Sequence, residues 1–168
     1  MVVIGKRGRG HDLSDEAAGP TTETLIHEAL RPVLVVPAQA NTSGPILIAF
    51  DGSKGVQRAV VPGVQLAAAL GAPVTVLTLA ESQDAGDEIQ APLKQYLASY
   101  GVKGDFRVQV GRDTGRNAAK IVMDTASELN AGMILMGAFS VSPLKEFFVG
   151  SVTREVLTHA HCPVLMMT

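Results

Sequence analysis

The sequence predicts an α/β fold: a doubly wound parallel sheet of five strands over residues 45–168, preceded by a β-α-β fragment that repeats its last third. Three observations carry this. From residue 45 onward, short apolar runs alternate with amphipathic stretches, strand then helix four times, closed by a strand. Right-handed crossovers turn such a pattern into a parallel sheet covered on both faces. Hydrophobic residues make up 46 % of the 168, aromatics only 4 %, and Trp is absent, so the core is built of Val, Leu, Ile and Ala, which suits strands buried on both sides. The third observation is the repeat.

Each element has its own signal. Ile46–Phe50 reads as a buried strand ending at Asp51-Gly52-Ser53, with Ser53 placed to cap the next helix. That helix carries its apolar face on Val60, Val61, Val64, Leu66 and Ala67–Leu70, and Gly71 terminates it. Val74–Leu79 is the second strand. Residues 81–88 are polar and acidic and read as a loop, with a helix over Ile89–Tyr100. Phe106–Val110 alternates as the third strand, Asn117–Leu129 is helical, and Met133–Met136 is a fourth, apolar strand running into Gly137. A helix begins near Gly150-Ser151, and Val164–Met167 is the last strand. Ligands of such sheets bind beyond the carboxyl ends of the strands where the winding reverses, but the strand order is not legible here.

Residues 1–37 add no new unit. Met1-Val-Val-Ile-Gly5 matches Met133-Ile-Leu-Met-Gly137, and Gly19–Pro37 aligns without a gap on Gly150–Thr168. Identities fall at Gly19/Gly150, Thr22/Thr153, Ala29/Ala160, Pro32/Pro163, Val33/Val164 and Leu34/Leu165. The expected organisation is a partial domain at 1–37, a linker at 38–44 and a complete domain at 45–168.

Bulk properties exclude several classes. Fourteen Lys+Arg against sixteen Asp+Glu give a net charge of −2, without the basic excess of a nucleic-acid binder. Lys6, Arg7 and Arg9 are too few to change this. The lone Cys162 permits no internal disulfide, fits a reducing compartment and reads as a buried structural thiol. No apolar run approaches the roughly 18 residues of a membrane span, and no signal peptide is read, so a cytoplasmic protein is expected.

The chemical signal lies after the fourth strand: Gly137-Ala-Phe-Ser140, nine residues, then Gly150-Ser151-Val152-Thr153. Together with Phe50-Asp51-Gly52-Ser53, the stretch Leu144–Thr153 and the terminal Pro163-Val164-Leu165, this resembles the universal stress protein family and its ATP-binding signature. That signature is a Gly, two residues, a second Gly, nine residues, then Gly-Ser/Thr. The resemblance covers 45–168 and, through the repeat, 1–37. It implies ATP as ligand, with magnesium only if ATP binds. Asp51 would meet the nucleoside, the Leu79 backbone the adenine, and Gly137, Ser140, Gly150, Ser151, Val152 and Thr153 the phosphates. The physics agrees: glycine permits close approach and positive φ, and exposed N–H groups at a helix start attract anions. One departure stands out. Ser140 replaces the second glycine, and if that position takes positive φ, serine costs about 1 kcal/mol. A plainer reading leaves Gly137 and Gly150 to turn geometry and Ser151 to helix capping.

The N-terminal repeat has ten residues in its spacer, Pro20 in place of the hydroxyl residue and no counterpart of Asp51, so it builds no site alone. A Walker A motif is absent, and a receiver-type acidic cluster is not formed. His159 and His161 are too few for a metal, and no nucleophile–base pair is seen, so no catalytic residue is assigned. The readings in competition are a nucleotide-holding stress-response module, a nucleotide-free interaction module of the same fold, and a slow ATPase. By resemblance, Val33–Val36 pairs antiparallel with Val164–Met167, within one chain or between two, and at least a homodimer is expected.

Overall fold

The computed structural model describes residues 1–7, 18–111, 117–138 and 150–168. The described elements follow the chain as β1 (Val2–Gly5), α1 (Pro20–Glu28), β2 (Val33–Val36), β3 (Ile46–Ala49), α2 (Lys54–Leu70), β4 (Val74–Ala80), α3 (Gln83–Ser99), β5 (Gly104–Val110), α4 (Ala118–Glu128), β6 (Met133–Gly137), α5 (Ser151–His159) and β7 (Val164–Met167).

All seven strands join one sheet in the order β1-β2-β7-β6-β3-β4-β5. The five strands of residues 45–168 are mutually parallel, while β2 lies antiparallel to β7. The N-terminal repeat is therefore not a separate fragment; its two strands extend the sheet. Helices α2 and α3 cover one face around Ile48, Val64 and Leu97, and α1, α4 and α5 cover the other around Val122, Ile134 and Val156. The winding reverses between β3 and β6, which places a crevice at their carboxyl ends.

The β2–β7 pairing runs within the chain, in the register Val33↔Met166, Leu34↔Leu165 and Val35↔Val164. Leu34 and Leu165 are equivalent positions of the repeat, so the pairing is locally two-fold symmetric about them. Hydrogen bonding recurs in both repeats. Val2 N donates to Pro32 O at 2.8 Å and Ile134 N to Pro163 O at 2.9 Å; Lys6 N donates to Val36 O at 2.8 Å and Ala138 N to Met167 O at 3.0 Å. The segment joining the repeats is fastened rather than loose: Asn41 N donates to His161 O at 2.7 Å, and its side-chain amide reaches Ala131 O at 3.1 Å.

Local chemistry explains the element ends. Ser53 accepts from Val56 N and caps α2, and Gly71 at φ +60° closes it in the left-handed region. Two expectations need correcting. The buried stripe of α2 is Val56, Ala59, Val60, Gly63, Val64 and Ala67, whereas Val61 and Leu70 are exposed, because the three-four spacing rather than the apolar count sets the inward face. Within residues 81–88, expected to be a loop, 83–88 form the first turns of α3. Ser82 caps α3 by accepting from Ala85 N, Asp84 suits the positive first turn, and Gly86 packs where a Cβ would lie 2.3 Å from Val108 Cγ1. The polar and glycine signals there belong to a helix start pressed against β5.

Candidate nucleotide site

The turn after β3 is built by its own side chains. Asp51 Oδ1 accepts from Ser53 N at 2.9 Å, Gly52 takes φ +72°, and Gln57 Nε2 donates to Gly52 O at 2.7 Å. Thr78, fully buried on β4, donates to Phe50 O at 2.8 Å and ties the turn to the neighbouring strand. This holds the Asp51 carboxylate exposed at the carboxyl edge of the sheet, and among the described residues Oδ2 takes no hydrogen bond.

A cleft of about 240 Å³ opens there, between the ends of β3, β4 and β6 and the first turns of α4 and α5. Asp51, Leu79, Gly137, Val152 and Thr153 line it, so the structure brings together five of the eight positions proposed from sequence. Gly150 and Ser151 stand beside them as the cap and first residue of α5. Ser140 lies outside the described residues, as does most of the spacer between Gly137 and Gly150. The walls also include Leu77, Ala118, Val122 and Met136, which the sequence reading did not select. Their signal was available only as generic core periodicity, since nothing local marks an apolar residue as lining a cleft.

Backbone geometry faces Leu79 toward the cleft. Phe50 N donates to Leu77 O, and Gly111 N donates to Ala80 O. Alternation along β4 then turns the Leu79 N–H and C=O toward the β3 side, beyond the end of β3 and into the cleft, without a partner among the described residues.

At the other wall, α5 begins without a side-chain cap and without an acidic residue in its first turn. Arg154 N donates to Gly150 O at 2.9 Å, while the N–H groups of Ser151, Val152 and Thr153 have no acceptor among the described residues. Such donors, with the helix dipole behind them, form an anion-attracting surface.

Thr153, Gly137 and Gly150 depart from the roles expected of them. The Thr153 hydroxyl donates inward to Ala138 O at 2.8 Å and is buried, so its proton is committed to bracing α5 on the end of β6; only its backbone N–H remains for a ligand. Thr22 holds the equivalent place in the N-terminal repeat, donating to Gly5 O at 3.2 Å. Neither Gly137 nor Gly150 uses positive φ; Gly150 sits at φ −54°. Gly137 is needed for close approach instead, since a Cβ there would lie 3.3 Å from both Ser53 Oγ and Val56 N at the start of α2. Gly150 has no comparable packing demand: its Cβ would meet only Thr153 Oγ1, at 3.9 Å.

His159 Nδ1 lies 3.0 Å from Glu155 O of its own helix, and Cys162 is buried with its thiol pushed up to about 11, chiefly by loss of solvent. Among the described residues no cluster of His, Cys, Asp or Glu could hold a metal, and no helix is long and apolar enough to cross a membrane.

Comparison with known proteins agrees with this architecture. The model of the Universal stress protein family matches residues 43–168. A universal stress protein of Synechocystis is 27 % identical over 169 aligned residues, which cover 98 % of this chain and 56 % of the relative. The crystal structure of a universal stress protein from Archaeoglobus fulgidus superposes with a TM-score of 0.67 at 19 % identity, covering 84 % of this chain and 50 % of that one. A second structure from that organism, in complex with dAMP, gives a TM-score of 0.57 at 23 % identity over 73 % of this chain and 96 % of its own. The chain thus spans about half the length of the first two relatives. With the family model matching three-quarters of its residues and the fold shared, the chain belongs to the universal stress protein family.

Proposed function

We propose that this chain is a stress-response module of the cytoplasm that binds an adenine nucleotide, ATP among them, in the cleft between β3 and β6, without dedicated catalysis. The observation that carries the reading is the convergence at one switch-point cleft of Asp51 Oδ2, the backbone edge of Leu79 and the first turn of α5, none of which has a partner among the described residues. Asp51 would accept from the ribose or the adenine amine, Leu79 would present its backbone to the base, and Ser151, Val152 and Thr153 would offer N–H groups to phosphate. Ser151 adds its exposed hydroxyl, and Ser140 stands in the segment between. Magnesium would enter only with the phosphates of ATP. The dAMP-bound relative supports the ligand class. The N-terminal repeat is read as part of a second domain of the same type, and a homodimer or higher oligomer as the working assembly.

A second reading, an interaction module that holds no nucleotide, is favoured by the lining, which is apolar apart from Asp51 and Thr153. Calorimetric titration with AMP and ATP, with and without magnesium, separates the two. Asp51→Asn keeps the acceptor for Ser53 N but removes the charge. Loss of a charged hydrogen bond is worth about 1.5–3 kcal/mol, so affinity should fall about tenfold or more. Absence of heat and of a melting shift at millimolar nucleotide would establish the second reading. Binding restored by Ser140→Gly would then locate the cause. Steady phosphate release that vanishes in Asp51→Ala would instead mark a slow ATPase.

A further inference from the structure

Strand β5 ends the sheet and pairs only with β4 among the described residues. Val74 N donates to Lys103 O and Gly111 N to Ala80 O, so the parallel ladder uses the backbone of Asp105, Arg107 and Gln109. Alternation then turns the N–H and C=O groups of Gly104, Phe106 and Val108 outward, where the described residues offer no partner. Residues 112–116 are bounded by Gly111 and by α4, whose Ala118 lines the cleft at the carboxyl ends of β3 and β4. Both ends of that segment therefore lie at the carboxyl end of β5, away from Gly104–Phe106.

The two faces of β5 carry different chemistry. Phe106 and Val108 face α3; the Phe106 ring folds over Gly104, where a Cβ would fall 2.7 Å from its Cε2. Lys94 Nζ of α3 lies 5.3 Å from the centre of the same ring. Asp105 and Arg107 face the other way. There Arg107 Nε donates to Asp105 Oδ2 at 2.8 Å, and Nη1 to Glu128 Oε1 at 3.0 Å. All three charged groups remain partly exposed, so a further strand at this edge would meet them.

We propose that this edge is an interface between two copies of the chain, with β5 paired antiparallel to β5 about Phe106. Two-fold symmetry requires the antiparallel direction, and outward backbone groups must face outward groups, which leaves few registers. Centring the pair on Asp105 sets Asp105 against Asp105, and centring it on Arg107 sets Arg107 against Arg107. Like charges directly opposite are destabilising. Centring on Val108 leaves Arg107 facing Gln109 and Asp105 facing Gly111. Only the Phe106 register sets Asp105 of each copy against Arg107 of the other, at the close, non-hydrogen-bonded positions. It also sets Lys103 against Gln109, and the exposed Val110 against Val102. The charge pattern of the strand thus complements itself in one register, which points to a second copy as the occupant. The interface rests on the self-association proposed above and is independent of nucleotide binding.

The test uses the full chain, with light scattering over a concentration series and amide exchange followed by NMR. The parent should dimerise, and the Gly104, Phe106 and Val108 amides should slow about tenfold or more as the dimer forms. Asp105→Arg and Arg107→Asp each set like charges across the seam, so each should raise the dimer dissociation constant about tenfold or more. Mixed in equal amounts, the two variants should pair as tightly as the parent, because every charge then meets its opposite. That recovery also shows that both variants are folded. A parent that stays monomeric at its highest soluble concentration would overturn both the self-association and this interface. A parent dimer that neither substitution weakens, or in which the three amides exchange as fast as in the monomer, would overturn this interface alone.

Discussion

Thr153 separates a structural from a ligand-binding role within one turn of helix. Its hydroxyl donates to Ala138 O at 2.8 Å in a fully buried setting. Thr153→Val keeps the shape but leaves that carbonyl without its donor, and an unsatisfied buried acceptor costs about 1–3 kcal/mol. At about 2–4 °C per kcal/mol for a chain of this size, the melting temperature should fall by about 2–12 °C. Ser151→Ala is the control two residues away: Ser151 is exposed, its hydroxyl has no partner among the described residues, and the change should stay within about 0.5 kcal/mol. Calorimetric melting of the two variants without ligand measures both. The reasoning fails if Thr153→Val melts like the parent while its nucleotide affinity drops, for then the hydroxyl serves the ligand rather than α5.

Gly150→Ala should leave stability unchanged, since φ is −54° and the added Cβ meets only Thr153 Oγ1 at 3.9 Å, yet weaken nucleotide binding by crowding the first turn of α5; titration beside a melting curve shows whether the two effects part. Gly63→Ala in the full chain should destabilise by about 1–3 kcal/mol through overpacking, read as a lower urea midpoint, because its Cβ would lie 2.0 Å from Leu135 Cδ1. Burial raises the Cys162 thiol from 9.0 to about 11, so the unfolded chain releases this proton first. The contribution is intact below pH 9 and is lost as pH rises toward 11. Urea unfolding across that window should show the parent losing stability that Cys162→Ala retains; parallel curves would contradict it.

How much of this was legible in advance follows from how far each signal reaches along the chain. The caps at Ser53 and Gly71 act over a few residues and stand where the sequence places them. Asp51 also lands at the end of β3, because the strand–turn–helix pattern is local. The start of α3 is not legible locally, since Gly86 and the acidic residues look like loop until Val108 of β5 is seen against the helix. The sequence points the Thr153 hydroxyl at phosphate because a hydroxyl carries no mark of direction; only the nearby end of β6 supplies its acceptor.

By itself, then, the sequence determined the order of strands and helices, the internal repeat and the turn that presents Asp51, all of which rest on periodicity and on side chains bonding to their own neighbourhood. Only the tertiary structure decided the strand order that opens the cleft between β3 and β6, the pairing of β2 with β7 inside one chain, and the unequal covering of the sheet that leaves Val3 exposed while Leu135, its equivalent in the repeat, is buried. These depend on which apolar surfaces meet across long sequence separations, and that competition is settled by packing over the whole sheet rather than by any short stretch of residues.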